Sequence, residues 1–388
     1  MKRLLSFLLA ACLCLCGCGV SNGDAVLKSS QALDMDSAGL DTLAAYAAFE
    51  HWDDYQVYFT GETHASQKNY HAHRFFLEFF HQNYGVQHLL VEGGFCSTQL
   101  LNHYINSGDE DTLAFVMENL EGTASYSQEE ADFYRGLYKY QQALPTEEKL
   151  LFVGIDVEHQ FSTTGFQYLF GLAHARAVMP RALKKAVEYF NTSKAPDEEE
   201  IILLLKDIEK EQKQKPGEYE SFFGDDLFDF SFALSNILQG SHYYDKENKD
   251  AETYREQSIM DNFDALYKHY DRPAFFGQFG AYHSDRSPKS FTIASFLDRE
   301  YEETKGRVLS IAYLYQNCYL ADRHKDYRPQ KIKNSALSQF LAKEYPQTSL
   351  IVKLAEGEKY GWRQEEFAGH QYGFLLQDSP AITPFESQ

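Results

Sequence analysis

Three short apolar runs in this chain each lead into a Glu or a His. Val57-Tyr58-Phe59-Thr60-Gly61 leads to Glu62-Thr63-His64, Leu89-Leu90-Val91 to Glu92-Gly93-Gly94, and Phe275-Phe276-Gly277-Gln278-Phe279-Gly280 to Ala281-Tyr282-His283. A run of four to eight apolar residues bounded by Gly reads as a strand buried on both faces. If such strands are parallel neighbours in an open α/β sheet, their carboxyl ends share one crevice, where folds of this kind bind ligands. Glu62, His64, Glu92 and His283 would then meet there although they lie far apart in sequence. That convergence points to an enzyme or a metal site.

Strand-like runs recur near 55–61, 87–92, 150–156, 273–279, 307–314, 348–354 and 372–376, with helical stretches between them. Residues after His64 carry Ala72, Phe75, Phe76, Phe79 and Phe80 at helical spacing, and Gly85 is a natural stop. Residues 127–143 and 288–301 read the same way. Alternating strands and helices imply right-handed crossovers and a mainly parallel sheet, an α/β fold. The rhythm breaks at about 165–260, a helical insertion expected to cap the crevice or to form a separate α unit. One of its helices opens on Pro196-Asp197-Glu198-Glu199-Glu200, acids suited to a helix N-terminus, and is expected to stop at Lys215-Pro216-Gly217.

The first residues are expected to lie outside the fold. Lys2 and Arg3 precede an apolar stretch of 13 residues from Leu4 to Cys16, too short to span a bilayer and right for a secretory leader. Leu15-Cys16-Gly17-Cys18 resembles a bacterial lipobox, so residues 1–17 read as a lipoprotein signal peptide with lipidation at Cys18. An ordinary cleaved leader is the alternative. The resulting layout is a leader over 1–17, a tether and N-terminal segment over 18–45, and an α/β domain over 46–388 with its insertion. Location is expected to be the bacterial cell envelope, periplasmic or surface, with the membrane reached through the lipid anchor.

Removing 17 residues leaves 388 − 17 = 371 and takes the net charge from −21 to about −23. Such a chain is repelled by nucleic acid and by anionic lipid headgroups. Besides Cys18, Cys96 and Cys318 remain; they could pair in an oxidising compartment or stay as two buried thiols. No CxxC or HExxH motif occurs.

Glu62 and His64 at i, i+2 after a strand point the same way if the extended chain continues. A carboxylate beside a His fixes one tautomer and makes the ring a better base for water. Two carboxylates and two His also form a respectable N/O donor set for a divalent metal. Glu92 precedes two glycines that allow close approach of a substrate; a salt bridge to Arg74 or Arg255 is its plainer reading. Asp156 ends Leu151-Phe152-Val153-Gly154-Ile155, again at a strand's carboxyl end, where capping of a helix is equally expected. Arg74 lies opposite the Phe stripe of its helix and could stabilise an oxyanion or simply face solvent. His159 reads as a loop residue.

These residues resemble the erythromycin-esterase-like superfamily, which includes ChaN-like haem-binding lipoproteins and, more remotely, the Tiki metalloproteases. The likeness rests on Gly61-Glu62-Thr63-His64, the helix with Arg74, Leu89-Leu90-Val91-Glu92, Gly154-Ile155-Asp156, Arg255 to Asn262, and the strand ending at His283. It implies a three-layer α/β/α fold and a hydrolase in which His64 is the base. Glu62 and Glu92 would be its orienting partners, and Arg74 and His283 the stabilisers, with Arg255 and Asp156 completing the catalytic set. Two departures stand out. One residue, Thr63, separates Glu from His where the esterases usually have two, and Gly280 stands where they usually carry a first His.

The function expected is cleavage of an ester, lactone or related acyl bond in a small-molecule substrate by His-activated water, with no cofactor required. The alternatives are a ChaN-like haem or iron binder and a metal-dependent hydrolase or protease of Tiki type, with Glu62, His64, Glu92 and His283 as ligands.

Overall fold

The structure, a computed structural model, describes residues 26–159, 161–173, 178–193, 197–245, 249–322, 326–354, 367 and 369–386. The leader and Cys18 lie outside them. All seven strand-like runs are strands: β2 (Val57–Glu62), β3 (His88–Val91), β4 (Leu151–Gly154), β5 (Phe275–Gly280), β6 (Val308–Gln316), β9 (Leu350–Lys353) and β10 (Tyr372–Gln377). A short β1 (Ser30–Ala32) and an antiparallel hairpin of β7 (Tyr319–Asp322) and β8 (Arg328–Lys331) add to them.

The main sheet has the order β1-β9-β10-β6-β2-β5-β3-β4. From β10 to β4 every pair is parallel; β9 runs antiparallel between β10 and β1. β5 enters the sheet between β2 and β3, placing Gly280 level with Glu62 and Gln278 level with Val91. The carboxyl ends of β2, β5 and β3 are thus adjacent, at the place where ligands bind in such sheets.

Side chains alternate along each strand and feed two cores. Tyr58, Leu89, Phe152 and Phe276 pack under α1 (Ser37–Phe49), α2 (Gln67–Tyr84), α3 (Phe95–Ser107), α4 (Glu110–Glu118) and α5 (Gln128–Ala143). Val57, Phe59, Leu90, Val153, Phe275 and Phe279 pack on the other face under α6 (Phe166–Gly171), α7 (Arg181–Thr192), α8 (Glu198–Gln214), α9 (Pro216–Phe223), α10 (Leu227–Tyr243) and α11 (Ala251–His269). The result is a three-layer α/β/α fold.

The helical insertion packs as one outer layer of the fold, and its Tyr243, Tyr244 and Arg255 reach the wall of the crevice. It is held by its apolar faces: Ile201, Ile202, Leu204, Leu205 and Ile208 of α8 are all buried, as are Phe230, Ala233, Leu234 and Ile237 of α10. α8 stops where expected, at Gln214 with Lys215 as its cap, and Pro216 then opens α9, in whose first turn a missing N–H costs nothing. α2 closes at Gly85, whose φ of 64° is the left-handed conformation that favours glycine. Cys96 and Cys318 are buried free thiols, one in each core. Among the described residues no helix is long and apolar enough to cross a membrane.

Candidate active site

At the carboxyl ends of β2, β3 and β5 an open crevice of about 600 Å³ is lined by Glu62, His64, Glu92, Gln278 and Arg255, with Tyr70, His73, Glu130, Phe133 and Tyr134 from α2 and α5. Glu62 Oε1 lies 2.7 Å from His64 Nδ1. Gln278 donates to the other carboxylate oxygen at 2.6 Å, and Tyr313 donates to the Gln278 carbonyl at 2.6 Å. This chain of polar groups turns Glu62 towards the ring and assigns the Nδ1 proton to the Glu62 side. His64 Nε2 is left facing the crevice, 3.8 Å from Glu92 Oε1.

Glu92 is the hub. It accepts from the Gly280 N–H at 2.6 Å and from Arg255 at 3.1 Å, and lies 3.2 Å from His283 Nε2. His283 is held at its other nitrogen by Glu256, whose second oxygen accepts from the Ile293 N–H at 3.1 Å. Arg255 also donates through Nε to both oxygens of the buried Asp156, at 3.0 and 3.1 Å. His159 pairs with Asp156 at 3.4 Å and with the Tyr244 hydroxyl. Asp156 therefore anchors Arg255 and does not cap a helix.

The charges set each other's protonation. Burial works against a charge on Glu92, yet His64, His283 and Arg255 together hold its carboxyl well below the usual range. Burial also opposes a proton on the imidazoles, but the Glu92 charge and the bond to Glu62 push His64 up to about 9. Glu92 and Glu256 push His283 up to about 10. His283 is thus a fixed cation near neutrality, and His64 a strong base that is mostly protonated there.

The convergence expected from the strand ends is present: Glu62, His64, Glu92, His283, Arg255 and Asp156 form one contiguous network. Arg74 does not belong to it. It pairs with Glu78 one turn along α2 and sits 4.6 Å from the centre of the Tyr140 ring. The residue before it, His73, faces the crevice instead, stacked on Phe133 at 4.5 Å, and burial together with the Arg74 charge pushes it down to about 3. Gln278, Glu256 and Glu130 were not singled out from sequence. Gln278 alone carried a signal, as a polar residue inside an otherwise apolar strand.

The donor set does not fit a divalent metal. Glu62, Glu92, both nitrogens of His283 and Nδ1 of His64 are engaged with one another or with Gln278, leaving only His64 Nε2 open, and the Arg255 cation lies 3.1 Å from the central carboxylate. Among the described residues no three His, Cys, Asp or Glu are placed to hold an ion. Nor do Tyr70 and Tyr134, the crevice tyrosines beside Glu130, suit a haem iron as tyrosinate ligands. Tyr70 and Tyr134 hydrogen-bond to Glu130, and burial holds both phenols well above their usual range.

Two local features place His64. Ala65 has a φ of 68°, a left-handed conformation costly for a residue with a Cβ. It persists because the Ala65 carbonyl accepts from Ala321 of β7 at 3.0 Å and from Ile382 at 3.2 Å. Ser66 also meets Ser379 at 2.8 Å.

The second feature is Gly280. A Cβ there would lie 2.8 Å from His64 Nε2 and 3.5 Å from Glu92 Oε2, so the ring occupies the space a side chain would need. The two departures from the esterase pattern, a shortened Glu-to-His spacing and a Gly at 280, are complementary in space. Gly280→Ala should leave thermal unfolding within about 1 kcal/mol, since only a side-chain tip must move. It should lower turnover by about 10- to 100-fold by displacing that tip. Full activity in Gly280→Ala would show that the ring position is not critical.

The erythromycin esterase family profile matches residues 81–277, from the end of α2 into β5. Glu62, His64 and His283 lie just outside the matched stretch. Among solved structures, a succinoglycan biosynthesis protein superposes with a TM-score of 0.71 at 12% identity, covering 93% of this chain and 97% of its own. A Bacillus cereus protein gives 0.67 at 12% identity, with 94% and 98% covered. A variant of the erythromycin esterase EreC in its open conformation gives 0.62 at 10% identity, with 92% and 98% covered. At such identities these likenesses speak for the fold alone. No curated protein matches the chain. With half of its length matched by the family profile, the chain belongs to the erythromycin esterase family.

Proposed function

We propose that this chain hydrolyses an ester, lactone or related acyl bond with water activated by His64, on a domain tethered to the cell envelope through Cys18. The observation that carries the reaction is the Glu62–His64 pair, with Nδ1 tied to Glu62 and Nε2 open to the crevice. Nε2 takes a proton from water as its oxygen attacks the acyl carbon. Glu62, fixed by Gln278, holds the tautomer and stabilises the imidazolium that forms. His283 and Arg255, both cationic and both on Glu92, keep that carboxylate charged beside the ring and supply positive charge where an oxyanion develops. The crevice is wide enough for a drug-sized molecule and mixes rings with a few convergent polar groups.

A raised His64 sets the pH dependence. The base works only when deprotonated, so on an aryl ester kcat/KM should climb about tenfold per pH unit through neutrality. It should level near pH 9, where His64 titrates. A panel of aryl esters, alkyl esters and lactones followed from pH 6 to 10 tests this. No turnover of any of them at any pH would overturn the reading.

A further inference from the structure

The crevice holds a second ionisable centre, on the α2 and α5 side, that this hydrolysis does not yet use. Glu130 lies in the first turn of α5, three residues after its N-cap Ser127. Ser-x-x-Glu at that spacing is a capping box, in which the Glu carboxylate accepts from the N-cap N–H. Here the Ser127 N–H donates to the Ser125 carbonyl at 2.8 Å instead. The Ser127 hydroxyl still accepts from the Glu130 N–H at 3.0 Å, so the helix keeps its cap without the carboxylate. That carboxylate turns to the phenols of Tyr70 and Tyr134 and lines the same crevice as Glu62 and His64.

We propose that Glu130 is the proton donor to the leaving group, acting from the α5 side while His64 activates water from the sheet side. The inference rests on the hydrolase reading above. Its balance is simple. A proton passes from water to His64 Nε2, and the water oxygen bonds to the acyl carbon. The tetrahedral intermediate collapses, the acyl C–O bond breaks, and the departing oxygen takes the Glu130 proton with its electron pair. Glu130 is left as a carboxylate that Tyr70 and Tyr134 stabilise by hydrogen bonds, and one proton returns from His64 to Glu130 through solvent.

The surroundings suit that task. Burial and the nearby Glu62 charge push Glu130 up to about 7, with the phenols and His64 pulling the other way. It therefore carries a proton for part of the time at neutral pH, as a general acid must. A carboxylate serving only to cap α5 would have no reason to abandon the cap.

The test contrasts leaving groups. A p-nitrophenolate departs without a proton, whereas an alkoxide needs one. Wild type and Glu130→Gln, which keeps size and an acceptor for the phenols, are assayed on p-nitrophenyl and ethyl esters of the same acid. The expected result is that the aryl-over-alkyl ratio of kcat/KM rises about 100-fold in Glu130→Gln. In His64→Ala both substrates should be lost together. Glu130→Asp, which retains an acid, should recover part of the ratio and stands in if the Gln variant fails to fold. An unchanged ratio in a folded Glu130→Gln variant of an active enzyme would overturn the role of Glu130 and leave the hydrolase standing. A wild-type chain inert towards both esters would overturn both.

Discussion

His64→Ala is expected to lower ester turnover by about 10³-fold, the middle of the range for losing a positioned base. Its fold should be unaffected. The His64 side chain is 47% exposed, and the atoms it leaves behind keep partners: Glu62 retains Gln278, and Glu92 retains Arg255, His283 and the Gly280 N–H. Stability should change by less than about 1 kcal/mol, as for an exposed pair. Stopped assays on an aryl ester alongside thermal unfolding would show both effects. Turnover equal to wild type in a folded variant would remove His64 from the chemistry, and Glu62 with it, since Glu62 acts through the ring.

Arg255→Ala should have the largest effect on stability. Arg255 is the counter-charge of Asp156, which is fully buried, and shares Glu92 with two imidazoles. Burial alone would push Asp156 up; Arg255 first, with help from His159, holds it well below its usual range. Deleting the cation leaves a buried carboxylate uncompensated, at a cost of about 3–5 kcal/mol. Chemical denaturation would show that loss, together with weakened turnover because Glu92 loses one of its anchors. Combining Arg255→Met with Asp156→Asn removes both charges while keeping an acceptor for the Val157 N–H, which now bonds Asp156 at 2.7 Å. That double variant should regain most of the stability and little of the activity. A single Arg255→Ala variant as stable as wild type would mean the pair contributes nothing to the fold.

Much of this was readable from the chain because the sheet is parallel and covered on both faces. Its buried strands read as continuous apolar runs, and three of those runs lead into a Glu or a His. β2, β3 and β5 could thus be drawn with their ends, and the ends are the site. β1 and the β7–β8 hairpin escaped notice for the opposite reason. β1 is three half-buried residues, and Arg328-Pro329-Gln330-Lys331 is wholly exposed, so neither has an apolar pattern to detect.

On α2 the helix was legible but its face was not. One residue is about 100° of rotation, and that step separates His73 in the crevice from Arg74 on Tyr140. Glu256 could not be assigned, because its partner His283 lies on another element 27 residues away. Glu130 was hidden by a spacing that already had a sufficient local explanation. Gly280 was visible as a missing side chain; what fills the space was not.

The clamp on the loop after His64 gives the site a history as well as a geometry. Ser66 and Ser379 are 313 residues apart. Joining them directly in an unfolded chain would cost on the order of 5 kcal/mol of closure entropy. Once β10 has zipped onto β6 and β6 onto β2, the same ends already stand side by side and the remaining loop is short. If the sheet assembles first, the turn that aims the base is completed when Ala321 and the segment just after β10 dock on it. A chain with its core in place and that segment still undocked would be compact, native-like in its helices and strands, and without an aligned base.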